Sequence, residues 1–201
     1  MALRTANNQS MSAITELPSG VSAKSLILIS TTTASSSSTI SITSGIDSTY
    51  KEYIIKMYDV HPQTDVQDFN FNLSVDSGSN YNVSKTTSFI TSYNHESNGE
   101  EGLVYEAGKD LANGTGVQCI KNVVDNNNDD CCVAIMHLFD PSNTTFVKHF
   151  LITSQATASN EYSGNHFVAG YANTTSAVNA IQFSFASGNI DAGTFKLYGV
   201  L

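Results

Sequence analysis

Tryptophan is absent, proline occurs three times, and charged residues make up only 13% of the chain. With so little charge, Ser, Thr and Asn carry the polarity. Their side chains compete with helical backbone hydrogen bonds, which favours strands and turns. No apolar run reaches the ~18 residues a membrane-spanning helix needs, so no helical span is expected. The first twenty residues, MALRTANNQSMSAITELPSG, lack the apolar centre of a secretory signal, so export by the general pathway is not expected. No G-x-S-x-G elbow occurs and no Ser/His/Asp set stands out, which removes the usual sequence grounds for a hydrolase. Basic residues are outnumbered, nine against eighteen acidic ones, for a net charge of −9. A surface of that sign repels phosphate backbones and anionic headgroups, so nucleic acid is not an expected partner. The lack of a fixed internal repeat argues against a solenoid or propeller.

Cysteine is scarce too. Three residues leave at least one thiol unpaired. Cys131 and Cys132 are neighbours on a predicted strand, where side chains diverge, so a bond between them is not expected. A bridge from Cys119 to either stays open, beside the simpler expectation of buried reduced thiols acting as small hydrophobes.

What the chain does have is alternation. Phe69, Phe71, Leu73 and Val75 fall on every second residue, with Asn70, Asn72, Ser74 and Asp76 between them. Successive strand side chains point to opposite faces, so one apolar face and one wet face are expected. Asp76–Asn80 supplies turn chemistry, with Gly78 free to take positive φ. Tyr81, Val83, Thr87 and Phe89 resume the period, which predicts a hairpin over 69–93. Residues 25–30 form a short continuous apolar run, as in a strand covered on both faces. Residues 31–38 predict a loop or edge strand. Tyr53, Ile55 and Met57 share one side of a strand over 50–61 that Pro62 ends. Further strands are predicted over 117–124, 131–139, 145–153, 166–173, 178–186 and 194–201. The segments 131–139 and 145–153 are expected to pair, as are 166–173 and 178–186. About ten short strands and no long amphipathic helix predict an all-β, jelly-roll-like antiparallel β-sandwich over residues 25–201. Residues 1–24 show no usable period and predict an extended N-terminal arm, an assembly contact.

Candidate chemistry is sparse, and each case has a plain structural counterpart. Asp125, Asn127, Asp129 and Asp130 resemble the opening of a calcium loop. An EF-hand loop would need Gly and Glu where Asp130 and Met136 stand, so a solvated connection is expected and no metal site is assigned. His137 and His149 would face one another across a symmetrical hairpin. No third ligand accompanies them, so they are expected to be satisfied histidines in or beside the core. Glu96, Glu100, Glu101 and Glu106 could supply the two carboxylates of glycoside cleavage, but they sit in a loop and are expected to be surface charge. Tyr93, Tyr105, Tyr162 and Tyr171 lie near predicted loops and could stack on sugars. No catalytic residue, cofactor or metal ligand is therefore expected, while a host-surface glycan stays open as a partner.

Several segments together resemble structural proteins of marine tailed bacteriophages, those of cyanophages especially. They are Ile46-Asp-Ser-Thr-Tyr50 leading to His61-Pro62, then Asp76-Ser-Gly-Ser-Asn-Tyr81 and Leu138-Phe-Asp-Pro-Ser-Asn-Thr-Thr-Phe-Val-Lys-His149. Further along come Gly170-Tyr-Ala-Asn-Thr-Thr-Ser-Ala-Val-Asn-Ala-Ile181 and Ser187-Gly-Asn-Ile-Asp-Ala-Gly-Thr-Phe-Lys-Leu-Tyr-Gly199. The resemblance runs from about residue 17 to the end. It implies a non-enzymatic virion component made in the host cytoplasm and placed on the particle exterior, such as a tail-fibre, tail-associated or head-decoration subunit. It also implies partners among other virion proteins and copies of the chain itself. A carbohydrate-binding module that recognises host-surface glycans is the alternative.

Overall fold

The computed structural model describes residues 25–97, 99–158 and 162–201. The predicted arm over residues 1–24 lies outside the described residues. Among those described, the chain is all-β, with twelve strands and no helix. They are β1 (Leu26–Ser37), β2 (Ile40–Ile42), β3 (Glu52–Pro62), β4 (Gln67–Ser74), β5 (Lys85–His95) and β6 (Glu101–Tyr105), then β7 (Gln118–Val124), β8 (Cys132–Phe139), β9 (Lys148–Ala158), β10 (Tyr162–Ala172), β11 (Ala180–Phe185) and β12 (Ile190–Val200). Two antiparallel sheets pack as a sandwich, in the orders β1-β12-β3-β8-β9-β10-β5-β6 and β2-β11-β4-β7. The strands thus divide eight against four rather than evenly.

Alternation sets which side chains enter the core. Tyr53, Ile55 and Met57 of β3 are buried, as are Phe71 and Leu73 of β4 and Ile181, Phe183 and Phe185 of β11. Phe71 meets Phe150 of the opposite sheet edge to face, with centroids 5.3 Å apart. β12 sits between β1 and β3, fully paired inside the large sheet. β8 and β9 form the expected antiparallel pair.

Two expected pairs do not form. β4 and β5 belong to different sheets, so residues 69–93 are a crossover and not a hairpin. The turn itself is as the residues predict: Asp76 accepts from Ser74 Oγ at 2.6 Å and from Asn80 Nδ2 at 2.7 Å, with Gly78 at φ 87°. These hydrogen bonds, that from Ser74 first, hold the Asp76 carboxyl down at about 2. Residues 81–84 then lie outside the named strands, with Val83 N donating to the Leu73 carbonyl at 3.4 Å and the Ser84 carbonyl accepting from Asn173 N at 2.7 Å, and carry the chain to the other layer. The second failure is 166–173 with 178–186, because β10 pairs with β5 and β9 while β11 joins the small sheet.

The expected wet face of β4 is also dry. Asn70, Asn72 and Ser74 are all buried. Asn72 Nδ2 donates to the carbonyls of Tyr81 and Thr115, at 2.7 and 3.1 Å, so connecting segments roof that face and supply its acceptors. Conversely, the apolar run at 25–30 is not covered on both faces. β1 is an edge strand, and Leu28 is 52% exposed. Its Ser/Thr stretch is the edge strand the composition allowed. Short polar side chains of this kind are one means of blunting an open edge.

Because four strands cannot cover eight, part of the large sheet's inner face lies beyond the small sheet. The segment between β6 and β7 fills most of that gap. Leu111 N donates to Thr87 Oγ1 at 2.7 Å, Thr87 Oγ1 donates to Gln118 Oε1 at 2.6 Å, and Lys109 reaches Asp68 at 2.5 Å. This cover stops short of the last inward residues of β5 and the first of β10. There the sandwich stands open.

Candidate functional site

That opening is a cleft of about 300 Å³ between β5, β7 and β10. Register builds its floor: Thr91 lies opposite His166, Tyr93 opposite Gly164, and His95 opposite Tyr162. All six point inward by strand parity, continuing the row in which Phe89 faces Val168 in the core. The tyrosine rings meet edge to face, centroids 5.8 Å apart and planes at 76°. Two glycines make this possible. A side chain at Gly164 would stand 3.3 Å from the His166 ring, and a Cβ on Gly102 would press to 2.7 Å from the ring of Tyr93.

The polar lining comes from three elements. Tyr162 Oη donates to Glu100, and this bond raises the phenol pKa above its ordinary value. His166 Nε2 donates to Asn122 Oδ1 at 2.7 Å. Burial, reinforced by the Lys121 cation, pushes the imidazole down to about 3, so the ring is neutral at ordinary pH. Lys121 is only 3% exposed and donates to the Val123 carbonyl at 3.0 Å; burial lowers its pKa to about 8. Thr91 Oγ1 is buried beside His166, and a hydrogen bond with the Gly164 backbone works on the imidazole against the two larger effects of burial and the Lys121 cation.

Other proposed residues are scattered. Of the four glutamates, Glu100 alone lines this cleft; Glu101 is exposed on β6, and Glu96 lies in the turn after β5. His137 faces Leu151, two residues out of the register that would bring it opposite His149. Both histidines lie on the outer face of the large sheet, not in the core. His137 Nδ1 contacts Glu52 at 2.6 Å, and His149 packs near Tyr171 at 6.1 Å. In the acidic stretch, Asp130 accepts from Asn127 and from Thr157, and the Asn127 carbonyl accepts from His61 Nε2. This stretch links β7 to β8 across the sheets and is not a hairpin turn. Among the described residues no group of three or more His, Cys, Asp or Glu could hold a metal ion. The three thiols are free; Cys119 and Cys132 are buried, which raises each to about 12.

The second feature is the outer face of the large sheet. One row runs in register across seven strands, Lys196, Lys56, Ile135, Thr153, Phe167, Ile90 and Tyr105. The flanking rows add Leu151 on one side, Val133 and Leu103 on the other. Exposure of these apolar groups runs from 36% at Ile90 to 75% at Leu103. Two shallow grooves of about 430 and 390 Å³ cross the same face. Its cations lie at the β12–β3 end, where Lys56 and Lys196 each sit 5.6 Å from a tyrosine ring. Composition did not reveal this face; the apolar residues on both sides of 131–139 were the sequence signal for it.

No family model, curated protein or solved structure matches the chain.

Proposed function

We propose that this chain is a non-enzymatic structural subunit on the exterior of a tailed-phage particle, assembling with copies of itself through the outer face of its eight-stranded sheet. The observation that carries assembly is the apolar row across that face, on a chain whose net charge is −9. In the central row and its two flanking rows the charged side chains are Lys56 and Lys196, with no carboxylate among them. Scattered surface apolar residues need no explanation, but a contiguous patch does.

Strands about 4.8 Å apart and same-face residues about 7 Å apart give the patch roughly 25 by 20 Å. Two such faces would bury roughly 1,000 Å² together, near the lower limit of specific interfaces. Charge selects the arrangement. A two-fold axis along the strands lays the lysine end of each copy over the β6 end of the other, where Glu101 is exposed. An axis across the strands would set lysines against lysines. Placement in a virion is supported by the phage-like segments, among them 138–149 and 187–199.

Phe167→Glu sets a carboxylate at the middle of the row without touching the core. The wild type is expected to run as a dimer or larger species in light scattering at tens of micromolar, and the variant as a monomer. A monomeric wild type at that concentration would remove the assembly proposal. Antibody labelling of intact particles tests the location separately.

A further inference from the structure

We propose that the cleft between β5, β7 and β10 is a binding site for one neutral sugar ring. This goes beyond assembly and rests on a different face. A pyranose presents flat C–H surface on one side and hydroxyl groups around its edge. Its recognition therefore asks for flat side chains with polar tips, together with mixed donors and acceptors. The cleft offers both. Tyr93 and Tyr162 stand edge to face as a corner, and Gly164 opens the floor between them. The Glu100 carboxylate accepts, and the Asn122 amide can both donate and accept.

The paired tyrosines and the rim carboxylate carry the assignment. Thr91 and His166, 7% and 1% exposed, close the base of the cleft beneath the groups a ligand can reach. An anionic ligand fits less well. The Lys121 ammonium already donates to the carbonyls of Asn122 and Val123, Glu100 stands at the rim, and the whole chain is acidic. The volume, about 300 Å³, is at the small end of ligand sites and suits one ring better than a chain of them.

The test is a ¹H–¹⁵N titration of the full chain with the methyl glycosides of glucose, galactose, mannose and N-acetylglucosamine, and with a sialyl trisaccharide as the anionic comparison. At least one neutral glycoside should shift the Thr91, Tyr93, Gly164 and His166 amides saturably. Tyr162→Ala should weaken it at least tenfold and Glu100→Gln by a smaller factor, while Phe167→Glu leaves it unchanged. Native-like spectra of Glu100→Gln keep the comparison valid should Tyr162→Ala misfold. Silence with all four glycosides, shifts confined to the outer face, or preference for the sialyl sugar would each overturn the proposal.

Discussion

Phe69→Ala is expected to lower the free energy of unfolding by about 3–5 kcal/mol, the range found when a buried aromatic leaves a cavity. Phe69 is fully buried, and it lies where the two sheets are joined by rings. Its centroid is 5.3 Å from Phe185 and 6.1 Å from Phe183, both on the small sheet, and 6.3 Å from Phe195 on β12 of the large one. Removing it takes a contact from each layer at once, and neighbours held in two sheets cannot easily close on the void. Phe69→Leu should cost less, since it refills part of the space. Val117→Ala, at a 50% exposed loop position, should stay within about 0.5 kcal/mol. Urea melts of the three variants check this. Equal losses for Phe69→Ala and Val117→Ala would mean that the rings do not couple the layers.

Acid should weaken the fold well above the carboxylate range, because of His166. Its folded pKa of about 3 lies far below the value of about 6.5 of an unfolded histidine. Below pH 6.5 the unfolded chain takes up a proton that the folded chain refuses. Stability therefore falls as pH drops, and keeps falling until about pH 3. Between pH 6.5 and 4 the loss from this one group is about 3 kcal/mol, at 1.36 kcal/mol per unit. Burial opposes protonation first and the Lys121 cation from β7 second, while a hydrogen bond with the Gly164 backbone works the other way. Asp47, Asp76 and Asp140, whose hydrogen bonds lower their pKa values, contribute stability that is lost mainly below pH 4. His166→Gln keeps a donor for Asn122 and removes the titration. Its stability should be nearly level from pH 6.5 to 4, whereas the wild type declines. Parallel slopes for the two proteins would exclude His166 as the cause.

Buried lysines show where composition misleads. Little charge suggested a surface faced with Ser, Thr and Asn, and every lysine was free to be at the surface. Yet Lys85 and Lys148 are fully buried. Lys85 Nζ donates to Asn72 Oδ1 at 2.6 Å and to the Val83 carbonyl at 2.8 Å, and Lys148 to the carbonyls of Phe146 and Thr174, both at 3.1 Å. Parity did hold the clue: Lys85 keeps step with Thr87 and Phe89, and Lys148 with Phe150 and Ile152. Only the folded chain shows the oxygens these cations satisfy. The same limit applies to the cleft, whose walls come from Thr91, Tyr93 and Glu100, from Lys121 and Asn122, and from Tyr162, Gly164 and His166.

By itself the sequence determined the class of the fold, the inward residues of most strands and the turn at Asp76–Asn80. Each of these follows from local geometry, because a period of two assigns faces and Asp, Ser and Gly assign a bend. Tertiary structure alone decided which strand pairs with which. Alternation names the face of a residue but not the neighbour across the ladder, so a turn between two good strands reads as a hairpin whether the chain returns beside itself or crosses to the other layer. Here the crossing at 81–84, and the eight-to-four division that came with it, produced both the dry face of β4 and the open corner at Tyr93 and Tyr162.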